Sequence, residues 1–168
     1  GPEISVFAVC DGERVVALPP AQDFKRIGEG DVGPNTGGMG SVAPVPIATK
    51  AVVEEVVERC IQPTVDALRA RGIDYRGILY SNPMLTAEGP KIIEYNVRWG
   101  DPEAQCLLPL FESDPIELMA EAGAGALRTE PRFVDRSCVT VALAAEGYPG
   151  TVRKGDKIEG IDDANAMP

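Results

Sequence analysis

A short apolar run at residues 4–10, a turn signal at Asp11-Gly12 and a valine-rich run at 14–18 predict two strands joined as a hairpin. From 19 to 46 the pattern breaks, because six glycines and five prolines interrupt every period. A long loop, functional or disordered, is expected there rather than regular structure. Apolar residues then return at 52, 53, 56, 57, 60, 61, 65 and 68, the spacing of a helix with one buried stripe that ends at Gly72 as its cap. Pro63 predicts a kink or a division of that helix. Residues 77–86 and 91–98, separated by Ala87-Glu88-Gly89-Pro90, read as a second hairpin, with Pro83 pointing to an edge or irregular position. Asp114, Pro115 and Glu117 give an N-cap, a first-turn proline and a capping acid for a helix to about Ala122. Residues 123–136 read as a linker, and 137–145 open a new strand before a Gly-Tyr-Pro-Gly turn at 147–150.

Composition narrows the chemistry. The chain has 168 residues, 44% hydrophobic and 25% charged, enough for a buried core without disulfides or a structural metal. Its net charge of −10 comes from acids spread along the chain, which disfavours nucleic acid and anionic membrane as partners. A phosphate held by this chain must be held locally. No apolar run approaches the roughly 20 residues needed to span a bilayer, so a cytoplasmic location is expected. Cys10, Cys60, Cys106 and Cys138 are scattered among apolar neighbours and read as buried reduced thiols. Histidine is absent, which excludes Ser-His, Cys-His and histidine-ligated zinc chemistry and leaves carboxylates, amides, Lys, Arg and backbone.

The richest segment is 92–103, Ile-Ile-Glu-Tyr-Asn-Val-Arg-Trp-Gly-Asp-Pro-Glu. As a strand it places Ile92, Glu94, Asn96 and Arg98 on one face along about 13 to 14 Å. Glu94 and Asn96 offer hard oxygen ligands suited to Mg²⁺ with substrate phosphates, and Arg98 a planar fork for an anion. The same spacing also describes a half-exposed strand whose polar face meets water, and Asp101-Pro102-Glu103 equally describes a helix start. In the loop, residues 22–26 (Gln-Asp-Phe-Lys-Arg) and 33–40 (Gly-Pro-Asn-Thr-Gly-Gly-Met-Gly) join charged groups to a backbone free to bring N–H groups against an anion. Neither a Walker A loop nor a dinucleotide fingerprint is present.

Taken together, residues 20–26, 33–40, 77–80, 93–103 and 147–150 resemble the phosphoribosylamine-glycine ligase family of ATP-grasp enzymes, in order and spacing over nearly the whole chain. The resemblance implies an α+β fold: the second ATP-grasp lobe, a mainly antiparallel sheet with flanking helices, followed by an incomplete β-rich C-terminal segment. It divides the chain into the lobe at 1–124, a linker at 125–136 and the start of a C-terminal domain at 137–168. The implied partners are ATP, glycine and 5-phosphoribosylamine, with Mg²⁺ or Mn²⁺, and the absent N-terminal domain and first ATP-grasp lobe of the same enzyme; the piece alone is expected to be inactive. By the resemblance Glu94 and Asn96 are metal ligands, Arg98 and Asp101 catalytic, and Asp23, Lys25, Asn35, Thr36, Gly37, Gly38, Met39 and Gly40 substrate-binding. Where the family usually reads Ala-Gly-Leu-Met, this chain has Ser81-Asn82-Pro83-Met84, so Asn82 is either a further oxygen ligand across the hairpin from Glu94 or a turn device; Trp99 replaces a usual Phe. Another carboxylate-amine ligase, or a non-catalytic nucleotide- or metal-binding module, are the alternative readings.

Overall fold

Valine, phenylalanine and alanine alternate between two faces along β1 (Val6–Asp11), and the Asp11-Gly12 turn returns the chain antiparallel as β2 (Val15–Ala17). Asp11 Oδ1 closes that turn by accepting from the backbone N–H groups of Glu13 and Arg14 at 3.0 and 2.7 Å. The structure, a computed structural model, describes residues 1–167.

The glycine-rich stretch departs from the expectation of an irregular loop. It holds four short strands, β3 (Gln22–Asp23), β4 (Arg26–Gly28), β5 (Val32–Asn35) and β6 (Gly40–Ala43). β4 and β5 form a small hairpin whose turn places Gly30 and Asp31 at positive φ, while β3 pairs with β6 across it. The glycines that erase the local period here supply turns within a sheet.

Thr49 Oγ1 accepts from the Val52 N–H at 3.4 Å and starts α1 (Lys50–Val56). A π-helical turn over Val57–Ile61 leads into α2 (Gln62–Ala70). The helical run is thus divided, as Pro63 predicts, by the π turn that immediately precedes α2. Pro63 sits in the first turn of α2, where a missing N–H costs least, and the Gln62 N–H just before it reaches back five residues to the Val57 carbonyl. Next along the chain come β7 (Arg76–Thr86), β8 (Gly89–Asn96), α3 (Glu103–Leu107) with a 3₁₀ turn at Leu108–Leu110, α4 (Pro115–Ala124), β9 (Cys138–Val141) and α5 (Ile161–Asn165). Asp114 caps α4 through the Ile116 N–H at 2.8 Å, and Gly125 ends it in the left-handed region at φ 70°.

The main sheet is antiparallel in the order β2-β1-β7-β8. Val6, Ala8, Cys10 and Leu79 face the α1–α2 helix through Val56, Ile61 and Val65, and Phe7, Val9, Ile78 and Tyr80 face α3 and α4 through Cys106, Leu107, Leu118 and Ala122. Alternation along β1 thus feeds two apolar layers. The α3–α4 layer covers only part of its face; beyond Tyr80 that face carries polar side chains instead. A second sheet, β3-β6-β9, lies beside it, and β9 joins it after the stretch that reads as a linker. No helix among the described residues is long and apolar enough to cross a membrane.

Candidate functional site

Tyr80, Asn82, Glu94 and Asn96 occupy one corner of the sheet because β7 and β8 pair Tyr80 with Asn96 and Asn82 with Glu94. Directly opposed residues project to the same side. Glu94 and Asn96 point the same way, with Asn96 Nδ2 donating to Glu94 Oε1 at 3.1 Å, and Glu94 is exposed. That donation leaves the Asn96 carbonyl oxygen uncommitted beside the carboxylate.

The expected four-residue face is shorter in the structure. The register shifts between Asn82 and Pro83, which puts Ile92 opposite Pro83 rather than in step with Glu94. Proline has no N–H for the ladder, and a bulge is the usual accommodation. β8 also ends at Asn96, so Arg98 lies past the strand, exposed, with Nη1 donating to the Trp99 carbonyl at 2.9 Å. Asp101 is exposed and accepts from Gln105 Nε2 at 2.7 Å. The Asp101–Pro102 peptide is cis, and α3 starts immediately after it.

The two loop segments are tied to each other through backbone. Thr36 N–H and Oγ1 both donate to the Lys25 carbonyl, at 2.7 and 2.8 Å, the Met39 N–H donates to the Phe24 carbonyl at 2.7 Å, and the Gly38 N–H donates to Thr36 Oγ1 at 3.0 Å. Residues 36–40 are thereby laid along 23–25. Gly38 has φ 137°, and a side chain there would strike the Pro102 ring at 2.4 Å and approach Asp23 Oδ1 at 3.0 Å. Gly37 lies further out, its N–H donating to Tyr148 Oη at 3.3 Å. Asn35, at the end of β5, lines a cleft of about 490 Å³ together with Glu3, Asp23, Lys25, Arg26 and Met84.

Beneath this cleft is a polar network that sequence patterns do not mark. Glu103 is 2% exposed. Its Oε1 accepts from Tyr80 Oη at 2.6 Å and Ser5 Oγ at 3.0 Å. Tyr80 in turn stacks on Phe7 at 4.2 Å between ring centres. Burial, with the nearby carboxylates of Glu103 and Glu3, lifts Asp23 to about 7 against the counter-pull of Lys25. Burial works against the Lys25 ammonium, yet the hydrogen bond and charge of Glu3, joined by Asp23 and Glu94, raise its pKa on balance. Asn82 is 1% exposed, Nδ2 donating to Glu3 Oε1 at 2.6 Å while its own Oδ1 and Asp23 Oδ1 have no partner among the described residues. Glu103 is hidden from sequence reading because Pro102-Glu103 looks like an ordinary helix start, and Glu3 because nothing periodic surrounds it.

A divalent cation is testable against this donor set. One carboxylate and one amide oxygen, adjacent and water-facing, fit a small hard ion that takes its remaining ligands from phosphates and water. No cluster of three or more His, Cys, Asp or Glu side chains suited to a metal occurs among the described residues.

The family model for the phosphoribosylglycinamide synthetase ATP-grasp (A) domain matches residues 1–104. Phosphoribosylamine–glycine ligase of Synechocystis is 51% identical over 171 residues, covering 99% of this chain and 41% of that protein. The Streptomyces coelicolor protein of the same name is 49% identical, again with 99% of this chain and 41% of the relative covered. The crystal structure of phosphoribosylamine–glycine ligase from Thermotoga maritima superposes with a TM-score of 0.82 at 39% identity, over 92% of this chain and 39% of that one. The chain thus spans about two fifths of the length of these relatives.

Proposed function

The chain belongs to the phosphoribosylglycinamide synthetase ATP-grasp family, and on that premise we propose that it is one lobe of a ligase joining glycine to 5-phosphoribosylamine at the expense of ATP in purine biosynthesis. The observation that carries this reading is the pairing of Glu94 with Asn96 on an exposed sheet corner that also receives Lys25. Residues 1–124 form the lobe, 125–136 a linker and 137–168 the start of a C-terminal domain, and the enzyme works in the cytoplasm with an N-terminal domain and first ATP-grasp lobe completing the site.

In this reading ATP phosphorylates the glycine carboxylate, and the amine of 5-phosphoribosylamine then displaces phosphate from the resulting glycyl phosphate. Such transfers depend on positioning and charge neutralisation, so a chain without histidine is adequate. Glu94 and Asn96 would hold Mg²⁺ or Mn²⁺, between which oxygen ligands discriminate little; the bound ion supplies charge neutralisation at the triphosphate. Lys25 contributes a fixed ammonium on the same side. Arg98 has its guanidinium exposed beyond the strand end, where it meets the anionic reactant, and Asp101 flanks it at the start of α3. Asp23, Asn35 and residues 36–40 form the wall that faces glycine and the phosphoribosylamine, the loop presenting backbone rather than charge.

The test is Glu94→Gln in the full-length enzyme. Size and fold are preserved, as circular dichroism checks, and turnover falls by about a hundredfold or more, the scale of losing one charge-stabilising group. Wild-type kcat at saturating Mg²⁺ in this variant refutes the assignment.

A further inference from the structure

We propose that Glu3 is a positioning residue that, anchored by Asn82, holds the Lys25 ammonium at the strand pair that carries Glu94. The proposal rests on the ligase reading for its catalytic meaning, but its geometry stands separately. A single oxygen, Glu3 Oε1, accepts from Lys25 Nζ at 2.5 Å and from Asn82 Nδ2 at 2.6 Å. Hydrogen bonds to an ionised carboxylate are roughly twice as strong as those between neutral groups. The pair is half-buried, with the Lys25 and Glu3 side chains 33% and 35% exposed, so water screens it only partly.

Both ends of this bridge are fixed. The Glu3 backbone is pinned from two sides: it bridges to Met84, two residues beyond Asn82 on β7, and its carbonyl accepts from Gln22 Nε2 at 3.1 Å. Asn82 is buried in the middle of β7 and is registered opposite Glu94, so the amide that grips Glu3 is built into the same strand pair as the candidate metal ligands. Lys25 is pinned by its own carbonyl, which takes both bonds from Thr36. A lysine side chain has four rotatable carbons and is otherwise among the costliest to immobilise. Glu3 removes that freedom before any anion arrives, and it does so from a strand edge outside every sequence motif. The other charged groups facing the ammonium are Asp23 and Glu94, and both favour its protonated form.

The experiment is a double-mutant cycle in the full-length enzyme together with pH-dependent acetylation of Lys25 by acetic anhydride, read by mass spectrometry. Lys25→Ala is expected to lower kcat/KM, Glu3→Ala to come within about threefold of it, and the double variant to fall no further, because the two residues act as one unit. Glu3→Gln keeps the shape and one acceptor but not the charge, and should move the Lys25 labelling midpoint down by about one pH unit. It also carries the test if Glu3→Ala fails to fold. Additive losses in the cycle, or an unchanged Lys25 labelling midpoint in Glu3→Gln, overturn the proposal. If the wild-type enzyme releases no ADP in response to glycine, the ligase reading falls instead, and the labelling still decides whether Glu3 sets Lys25.

Discussion

Tyr80→Phe isolates one buried polar contact with little else disturbed. The phenyl ring keeps the stack on Phe7 at 4.2 Å, so no cavity opens, and the loss is confined to the hydroxyl that donates to Glu103 Oε1 at 2.6 Å and lies 2.9 Å from Ser5 Oγ. Tyr80 is 4% exposed and Glu103 2%, so water does not replace the lost donor. Hydrogen bonds to carboxylates contribute about 1.5–3 kcal/mol, and the Ser5 hydroxyl, still 3.0 Å from the same oxygen, holds the cost near the middle, about 2 kcal/mol. Native-state hydrogen exchange in the full-length protein is the assay, because it reads β1 and β7 directly whatever the other domains do. A loss of about 2 kcal/mol accelerates exchange of their slowest amides roughly thirtyfold under conditions where opening is at equilibrium. An acceleration below about twofold, or one confined to surface loops, would show that Glu103 is supported from elsewhere and that the Ser5–Tyr80–Glu103 cluster is not a structural unit.

The same corner gives two further expected outcomes. Asp23 is raised to about 7 by burial and by Glu103 and Glu3, whereas the unfolded chain loses that proton near pH 4. The stabilising contribution is therefore complete below pH 4 and fades as pH climbs through 7, and Asp23→Asn should flatten this decline by about 1–2 kcal/mol once solvent screening of a half-buried group is allowed for; urea titrations at pH 5 and 8 that show parallel losses in both proteins count against it. Gly38→Ala places a methyl 2.4 Å from the Pro102 ring at φ 137°, and should cost about 1–3 kcal/mol locally, seen as faster exchange at residues 36–40; unchanged protection there would mean the loop yields freely.

Much of the scaffold is legible along the chain. Valine-rich alternation marks β1 and β2, the 52-to-68 stripe marks the α1–α2 helix, and Asp114-Pro115 marks the start of α4, because in each case the signal and its physical cause lie within a few residues of one another. Glu94 and Asn96 are legible for the same reason: a period of two in one strand sets their common direction. The features that escape pattern reading are non-local. β3 and β6 look irregular because their ladder partners sit some twenty residues apart and, for β9, almost a hundred. The shortened polar face comes from one proline on β7 acting on its neighbour β8. Glu3 matters through Asn82 and Lys25, and Glu103 through Tyr80 and Ser5, and no short window of the chain contains either set.

The β6–β9 ladder gives the connection between segments an unexpected mechanical character. Four residue pairs from Gly40–Val141 to Ala43–Cys138 zip the two strands, and at Gly40 the backbones run so close that a methyl group would sit 2.4 Å from the Thr140 carbonyl oxygen. The Ala142 N–H continues the grip by donating to the Met39 carbonyl at 2.9 Å. Residues 125–136 are themselves held to the fold, by the Leu127 N–H on Asp11 Oδ2 at 2.9 Å and the Val134 N–H on the Leu110 carbonyl at 2.9 Å; torque applied beyond β9 reaches Met39 and the glycines beside it directly, through the ladder.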